Sequence, residues 1–318
     1  MSAHSTPTIE REIWIDGRFV PWADATVHIL SHSHQRGSLI FDFLSVAQTP
    51  RGPAVFRLRE HVERLLASAE LVGLPLAQDL HTLCDALVAT VRRNPGAKAV
   101  KISAYLPSIE VDVVPVDAHV SVAIAAYDPW ADINAHKARS APRPETLKVW
   151  IEKDLRNRRK DIMPPQAKVA ANYTSPMHAK WRARAAGYDE VLLTDEAGYV
   201  AEGPTVNVFL VDAEGTLVTP PAESVLHGVT RRSILEIAHH DGIPVREARV
   251  RPEALVAAAE VFVSGTSALV WPVASVDDKP IGREVPGPIT RRLAARIAQA
   301  VAGQDPDFVH WLTFVDES

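Results

Sequence analysis

A stretch near the middle of the chain constrains the fold more than any other feature of the sequence. Residues 128–145 contain three prolines and few apolar side chains, whereas apolar patterns lie on both sides. Such a stretch is typical of a connection between two folded units. We therefore expect a small N-terminal domain over residues 1–128, a linker over 129–143 and a larger domain over 144–318. A chain of 318 residues is long enough to give each domain its own core.

Both helices and strands are predicted in the first half. Asp16-Gly17 separates two short apolar runs and favours a type I′ turn, so residues 13–20 are predicted to form a β-hairpin. A second apolar run covers residues 39–46, helices are predicted over 58–73 and 80–91, and further strands are predicted over 100–106 and 120–127. In the last two strands the apolar residues run on without alternation, which indicates a sheet covered on both faces.

The second half is mixed in the same way. Strands are predicted over residues 147–151, 190–194, 207–211 and 261–264, and helices over 174–187, 230–241 and 285–301. Neither half shows the regular strand–helix–strand repeat that is typical of a doubly wound parallel sheet. This order of elements predicts an α+β protein.

Composition excludes several classes of protein. Apolar residues make up 47% of the chain and charged residues 23%, values that are typical of a folded protein and exclude extensive disorder. The formal net charge of −5 gives no general attraction to nucleic acids or anionic membranes. Because the N-terminal residues lack an apolar signal segment and no apolar run is long enough to span a bilayer, we predict a cytoplasmic location.

The single cysteine, Cys84, excludes a disulfide framework within the chain and a zinc site built from thiolates. It lies in an apolar helical pattern and is predicted to be a buried, unreactive thiol. His28, His32 and His34 cluster, but no carboxylate falls at metal-ligand spacing with them. We therefore predict no metal site.

Four separated segments contain residue types that are suited to chemistry. They are residues 56–65, with Arg64; 164–173, with Lys168 and Tyr173; 202–209, with Glu202 and Asn207; and 226–231, with Leu226, Val229 and Thr230, followed by Thr266 and Ser267. Taken singly, each has an ordinary explanation, since a lone lysine or arginine is usually a surface residue and Glu-Gly is common in turns. A helix N-terminus capped by Thr230 would equally explain the fourth segment. Only the combination is specific.

Together these segments resemble the class IV aminotransferases, the fold-type IV family of pyridoxal-phosphate enzymes. The family includes branched-chain and D-amino acid aminotransferases, R-selective amine transaminases and aminodeoxychorismate lyase. The resemblance runs from about residue 13 to about residue 272. It implies a two-domain enzyme with a small N-terminal domain and a larger domain built on a mixed, barrel-like sheet. It also implies a ping-pong transamination and a homodimer in which the partner subunit completes the pocket.

The resemblance assigns the catalytic chemistry to three side chains. Lys168 matches the lysine that forms the Schiff base with pyridoxal 5′-phosphate and then carries a proton between the substrate Cα and the cofactor. Glu202 matches the carboxylate that keeps the ring nitrogen protonated, so that the ring accepts electrons. Tyr173 matches the tyrosine that hydrogen-bonds the phenolic oxygen of the cofactor.

Further residues match the groups that hold the cofactor. Arg64 offers a fork of donors to the phosphate, and the backbone N–H groups of Val229 and Thr230 open a predicted helix whose dipole favours an anion. The resemblance adds three supporting residues, a phosphate hydroxyl, an apolar side chain on one ring face and an asparagine behind the ligands: Thr266, Leu226 and Asn207.

The substrate pocket departs from the pattern of the branched-chain enzymes. Arg36 stands where that subgroup typically has a tyrosine, and Phe41-Asp42-Phe43 replaces Phe-Glu-Gly. The predicted substrate-binding residues are Arg36, Phe41, Lys101, Thr266 and Ser267, with Arg36 as a candidate clamp for a carboxylate. An aminotransferase for α-amino acids is the favoured function. An R-amine transaminase, a lyase of the aminodeoxychorismate type and a binding protein without cofactor are the alternatives.

Overall fold

The computed structural model describes residues 9–134 and 143–316. One compact unit runs to Arg143 and also includes the C-terminal segment from His310, and a second unit comprises Pro144–Val309. Most of the predicted linker, residues 135–142, lies outside the described residues. The domain boundaries drawn from the sequence stay a prediction.

Strands and α-helices are interspersed along the described chain. The strands are β1 (Glu12–Ile15), β2 (Arg18–Pro21), β3 (Ile40–Thr49), β4 (Gly52–Phe56), β5 (Ala99–Tyr105), β6 (Ser121–Tyr127), β7 (Leu147–Arg156), β8 (Glu190–Thr194), β9 (Asn207–Val211), β10 (Leu217–Thr219), β11 (Val245–Glu247), β12 (Glu260–Gly265), β13 (Leu269–Val276), β14 (Lys279–Pro280) and β15 (Leu312–Phe314). The α-helices are α1 (His32–Arg36), α2 (Leu58–Leu71), α3 (Leu80–Arg93), α4 (Thr174–Ala185), α5 (Val229–His240), α6 (Pro252–Ala257) and α7 (Pro288–Val301).

The first unit is an antiparallel sheet of seven strands with helices on one face. Its strand order is β15-β4-β3-β5-β6-β1-β2. The β1–β2 hairpin turns at Asp16 and Gly17, whose φ values of 46° and 89° are both positive, as a type I′ turn requires. Helix α3 begins where the side chain of Asp79 accepts the N–H of Thr82 at 2.8 Å, which caps the first turn.

Burial alternates along the strands of this first sheet. Ile40 and Leu44 of β3 are fully buried towards α2, and Ile102 of β5 is fully buried beside them, whereas Phe41 and Phe43 are half-buried on the opposite face. Within this unit only one face is therefore fully covered. The expectation of a sheet covered on both faces was wrong for this unit, because apolar residues on the second face suggested burial that the unit itself does not provide.

The second unit is built on a mixed sheet of eight strands. Its main order is β11-β10-β9-β12-β13-β7-β8, and β14 pairs with β13. The pairs β10–β11, β13–β7 and β7–β8 are parallel, and the others are antiparallel. Every residue of β8 and β9 is buried, which agrees with the apolar runs 191–193 and 208–211 at their centres. The two-sheet arrangement confirms the predicted α+β class.

The core of the second unit lies on both sides of its central strands. Phe209 and Phe262 stack with their ring centroids 4.9 Å apart on the face that carries α5 and α7. The opposite face contributes Val208, Val261 and Val263 to a buried aliphatic cluster. Burying one such side chain contributes about 1.5–3 kcal/mol to the free energy of unfolding, so these strands form a firm base for the loops at their ends.

The end of the chain returns to the first unit, which the sequence analysis did not anticipate. Strand β15 pairs with β4, and Leu312 lies opposite Phe56. The guanidinium carbon of Arg57 lies 3.8 Å from the ring centroid of Trp311, a cation–π contact that secures the return. Among the described residues, no helix is long and apolar enough to cross a membrane.

Candidate active site

Lys168 and Tyr173 come together in the segment that leads from β7 to α4. The Nζ of Lys168 lies 3.1 Å from the Oη of Tyr173 and donates to it. A short 3-10 turn over Ala170–Tyr173 makes this approach possible, and the buried side chain of Asn172 donates to the carbonyl oxygen of Ala167 at 3.0 Å. The 3-10 turn after Lys168 and the hydrogen bond to Ala167 before it therefore fix the backbone around the lysine.

Glu202 is a buried carboxylate whose two oxygens have separate partners. Its Oε1 accepts from Nη1 of Arg158 at 3.1 Å, and its Oε2 accepts from the backbone N–H of Leu226 at 3.1 Å and from Nδ2 of Asn207 at 3.3 Å. A tight loop follows it, closed by the N–H of Gly203 donating to the carbonyl oxygen of Val206 at 2.8 Å. The position and orientation of the carboxylate are thus fixed from three sides.

The environment of Glu202 acts on its ionisation in two directions. Burial raises the pKa of this carboxyl, and the charges of Arg158 and Lys168 and the N–H of Leu226 only partly oppose that effect, so that the pKa lies above its ordinary value. A further positive charge beside the carboxyl would stabilise its ionised form. The carboxyl is therefore suited to face a cation.

Arg158 is the main residue of this site that the sequence analysis missed. Its side chain is only 7% exposed, and its Nη1 donates to Glu202 and, at 3.3 Å, to the carbonyl oxygen of Pro165. Its guanidinium carbon lies 5.5 Å from the ring centroid of Tyr173, so one arginine contacts both predicted cofactor ligands. In the sequence it is hidden in the basic run of residues 156–160, which is typical of an exposed surface.

Asn207 links Glu202 to the start of α5. Its Nδ2 also donates to the carbonyl oxygen of Leu226 at 3.1 Å. A Cβ on Gly228 would lie only 2.0 Å from Oδ1 of Asn207, so glycine is required at this close approach. Gly228 is the N-cap of α5 and makes no side-chain cap, which leaves the N–H groups of the first turn, including those of Val229 and Thr230, to other acceptors. An anion is the partner that these groups favour.

Thr266 and Ser267 lie in the turn between β12 and β13. The turn is closed by the N–H of Ala268, which donates to the carbonyl oxygen of Gly265 at 3.0 Å. A Cβ on Gly265 would lie 2.9 Å from the carbonyl oxygen of Thr205, so this turn packs directly on the loop that follows Glu202. Thr266 is half-buried there and Ser267 is exposed.

The remaining predicted site residues lie in the first unit. Phe41 and Lys101 share the half-buried face of the sheet, where Nζ of Lys101 lies 4.8 Å from the ring centroid of Phe41. Nη2 of Arg36 donates to the carbonyl oxygen of Val111 at 2.6 Å. Arg64 makes a two-pronged ion pair with Asp42. Among the described residues, no group of three or more His, Cys, Asp or Glu residues could hold a metal ion.

Comparison with known proteins identifies the family. The family model described as amino-transferase class IV matches residues 40–276, well over half of the chain. The chain belongs to the class IV aminotransferases. This aminotransferase therefore moves an amino group between an amino acid or amine and a 2-oxo acid, and its relatives do not favour the lyase, the R-amine transaminase or the binding protein.

Two curated relatives and three solved structures show how far the likeness extends. The branched-chain-amino-acid aminotransferase of Salmonella typhimurium is 34% identical over 303 residues, covering 94% of this chain and 96% of the relative. That of Escherichia coli K12 is 33% identical over 308 residues, covering 96% and 97%. An Escherichia coli branched-chain aminotransferase structure superposes with a TM-score of 0.89 at 32% identity over 97% of this chain and 100% of its own. A structure from Thermoproteus uzoniensis with norvaline gives 0.87 at 33% identity over 96% and 99%. The T.th. branched-chain enzyme solved with pyridoxamine 5′-phosphate gives 0.88 at 34% identity over 98% and 100%.

The donor set of this aminotransferase suits pyridoxal 5′-phosphate. The aldehyde and the phenolic oxygen of the cofactor are neighbours on its ring, and Lys168 and Tyr173 are neighbours at 3.1 Å. A protonated ring nitrogen would add positive charge beside the buried Glu202, whose pKa Arg158 and Lys168 lower only in part, and the first turn of α5 offers N–H groups to a phosphate. Each chemical group of the cofactor thus finds a residue of complementary chemistry.

Proposed function

We propose that this aminotransferase binds pyridoxal 5′-phosphate through Lys168 and transfers amino groups between apolar α-amino acids and 2-oxo acids. The observation that carries the proposal is the pair formed by Lys168 and Tyr173, with Arg158 linking Tyr173 to the buried Glu202. We also propose that Arg64, Val229, Thr230 and Thr266 bind the phosphate and that Leu226 packs on the ring. We place the reaction in the cytoplasm, as the sequence predicts.

Lys168 and Tyr173 form the proton-handling part of the site. When bound, pyridoxal phosphate supplies an aldehyde that condenses with amines and a ring that takes up electrons from the substrate Cα. Lys168 provides the resident amine, and once displaced by the substrate it removes the proton from Cα as a general base. The hydroxyl of Tyr173 holds Nζ in place, because it accepts a hydrogen bond from this amine at 3.1 Å.

Glu202 holds a proton at the ring nitrogen. Its oxygens are already oriented by Arg158, Asn207 and the N–H of Leu226, so no reorganisation is needed when charge moves into the ring. Because burial raises its pKa, the carboxylate is a stronger base than an exposed glutamate. It therefore accepts a stronger hydrogen bond from a protonated ring nitrogen. Arg158 limits this effect and keeps the carboxyl able to ionise.

Two observations support the proposed preference for apolar α-amino acids, namely the names of the relatives and an apolar surface on the first unit. The curated relatives are branched-chain aminotransferases, and related structures are described with norvaline and with 4-methylvaleric acid. Phe41 and Phe43 form a half-buried apolar surface that suits an aliphatic side chain. We propose that Lys101 and Arg36 supply positive charge for a substrate carboxylate and that Thr266 and Ser267 contact the substrate.

We propose that a second copy of this chain covers part of the first unit. The loop after β5 carries a series of exposed valines, with Val111 97%, Val113 72% and Val116 94% exposed. The loop is held in shape by Arg36 and by the ring of His32, whose Nε2 lies 2.9 Å from the carbonyl oxygen of Val113. A patch of this kind is typical of a protein–protein contact, which agrees with a homodimer whose partner completes the pocket. Sedimentation of the purified protein measures the assembly.

Borohydride reduction tests the central proposal. Reduction of the purified protein should fix the cofactor to the chain, and peptide mapping should find the label on Lys168. The Lys168→Ala variant should lose the label and at least about 10⁴-fold in turnover, because it removes the proton carrier as well as the amine. Lys148→Ala, at an exposed lysine of the same unit, is the matched control and should behave as wild type. A label on any other lysine contradicts the assignment.

A panel of amino donors tests the substrate class. Leucine, valine and isoleucine should be the best donors with 2-oxoglutarate as acceptor, and a neutral amine such as 1-phenylethylamine should be poor. Faster turnover of the neutral amine than of all three amino acids would contradict the proposed substrates while leaving the Lys168 assignment intact.

A further inference from the structure

A carboxylate occupies a core position in the first sheet. Asp42 lies on β3 between Ile40 and Leu44, and all three side chains are fully buried. An unpaired carboxylate at such a position would be very costly, because it loses its hydration. Its partners therefore decide whether the residue is tolerated and what it does.

Asp42 grips one edge of the guanidinium of Arg64. Nε of Arg64 donates to Oδ2 at 2.8 Å and Nη2 donates to Oδ1 at 2.7 Å. Two parallel hydrogen bonds to a planar fork fix the orientation of the group as well as its position. The donors on the opposite edge of the guanidinium consequently point away from Asp42.

His61 lies one turn before Arg64 on α2 and also contacts Asp42. Its Nδ1 lies 2.7 Å from Oδ1 of Asp42, and because an ionised carboxylate only accepts hydrogen bonds, Nδ1–H is the donor. The contact of 3.3 Å between this nitrogen and Nη2 of Arg64 is then a packing contact rather than a hydrogen bond. The N–H of Phe43 donates to the same oxygen at 2.7 Å. The carboxylate is thus held by β3 and α2 together.

The charge of Asp42 is retained despite its burial. Burial alone would raise the pKa of this carboxyl, but the charges and hydrogen bonds of Arg64 and His61 outweigh it and bring the pKa below its ordinary value of 3.8. The side chain of Arg64 is 9% exposed, whereas those of Asp42 and His61 are at most 1% exposed. Of the three groups, only the arginine reaches towards the surface.

We infer that Asp42, supported by His61, is a positioning residue that orients the guanidinium of Arg64 towards the phosphate of the cofactor. The inference rests on the proposed function, in which Arg64 binds that phosphate. The role is one of orientation, since a guanidinium free to rotate on its long side chain would lose conformational entropy each time it bound. The affinity for a cofactor analogue without a phosphate should therefore not depend on Asp42.

The test compares pyridoxal 5′-phosphate with pyridoxal, which has the same ring and aldehyde but no phosphate. Both are titrated by absorbance into protein stripped of cofactor. Asp42→Asn keeps the shape but removes the charge, and it presents an amide N–H₂ group where the arginine needs an acceptor. We expect the Kd for pyridoxal 5′-phosphate to rise on the order of 10-fold or more, the cost of losing a hydrogen bond to a charged group. The Kd for pyridoxal should change less than about 2-fold.

Two further variants separate orientation from general damage. Asp128→Asn is the matched control, because Asp128 is a buried carboxylate of the same unit that pairs with Lys98 at 2.7 Å and does not contact Arg64. It should leave the ratio of the two Kd values unchanged. His61→Phe removes one donor to Asp42 and should shift the ratio in the same direction as Asp42→Asn but less, which keeps the test available if Asp42→Asn fails to fold.

A double-variant cycle assigns the effect to Arg64. In an Arg64→Lys background the fork is absent, so Asp42→Asn should change the ratio of Kd values far less than it does in the wild type. Equal losses for pyridoxal and pyridoxal 5′-phosphate, or an undiminished effect in the Arg64→Lys background, would overturn the inference. If neither compound becomes fixed to Lys168 by borohydride, the proposed function fails instead.

Discussion

Asp42 in the first unit and Glu202 in the second are both buried carboxylates bonded to an arginine, yet their pKa values move in opposite directions. Asp42 receives two hydrogen bonds from Arg64 and one from His61, so charged partners outweigh the cost of burial. Glu202 receives a single hydrogen bond from Arg158, and its other partners are a neutral amide and a backbone N–H. The pKa of Glu202 is therefore raised, while that of Asp42 is lowered.

The difference separates a carboxylate whose partners lie within the protein from one that we propose binds a ligand. The hydrogen-bonding and charge requirements of Asp42 are met within the first unit, which suits a residue that holds an arginine. The positive charges near Glu202 offset its burial only in part, which suits a residue that holds a proton on a bound ring.

Removal of the charge at Glu202 should have the largest effect. Glu202→Gln keeps the shape of the side chain but leaves the ring nitrogen without an anionic partner, so kcat should fall by at least about 10²-fold, on the order of 3 kcal/mol, with cofactor still bound. Steady-state kinetics and absorbance titration measure the two quantities. Glu152→Gln is the control, because Glu152 is a buried carboxylate of the same unit that is bonded to Arg182. An unchanged kcat in Glu202→Gln would show that another group protonates the ring.

The two carboxylates should also respond oppositely to pH in the stability of the cofactor-free protein. A lowered pKa means that Asp42 stabilises the fold above its ordinary value of 3.8 and that this contribution is lost as the pH falls towards the lower, folded-state value. A raised pKa means that the contribution of Glu202 is complete below its ordinary value of 4.5 and is lost as the pH rises through the higher, folded-state value.

Thermal unfolding over pH 3 to 8 measures this contrast. Asp42→Asn should destabilise the protein by about 2 kcal/mol near pH 7, and the difference from wild type should shrink below pH 3.8. The stability of Glu202→Gln should increase relative to that of the wild type as the pH rises above 4.5, because the neutral amide avoids burying a charge. If the stability of both variants relative to wild type changed with pH in the same direction, the proposed difference between the two carboxylates would be wrong.

Substitution of Arg36 should have the smallest effect. It extends the comparison to the arginines of the two units. Arg64 and Arg158 each hold a carboxylate, whereas in the described part of the chain the guanidinium of Arg36 donates to a backbone carbonyl oxygen and makes no ion pair. If it binds a substrate carboxylate, Arg36→Ala should raise KM for amino acids roughly 10-fold, the value of one hydrogen bond to a charged group, and spare neutral amines. Equal losses for both substrate types would assign Arg36 to the structure of the loop that contains Val111.

Local patterns in the sequence predicted much of the fold and part of the site. Strands β8 and β9 begin and end at the predicted residues, and the resemblance assigned Lys168 and Tyr173 to one cofactor site, where their Nζ and Oη atoms lie 3.1 Å apart. Such features depend on neighbours along the chain. They follow from the periodicity of strands and helices and from the motif that the resemblance supplied.

Features that depend on distant partners could not be found in this way. Asp42 and Arg64 lie on a strand and a helix separated by 22 positions, and Arg158 is one of several basic residues in an exposed-looking run until Glu202 turns towards it. Strand β15 is three residues long and has no periodicity of its own, so only its pairing with β4 defines it. No local pattern encodes these contacts.

The return of the chain to its first sheet has a consequence for biosynthesis. Strand β4 has β3 on one side and β15 on the other, and β15 leaves the ribosome only after the whole of the second unit, Pro144–Val309. Until β15 emerges, the nascent chain exposes the backbone donors and acceptors of β4 as an unpaired edge, which is the kind of surface that recruits chaperones or another chain. A fragment that stops at Arg143 would keep this exposed edge permanently, so expression of the first unit alone requires residues 310–316 to be joined to it.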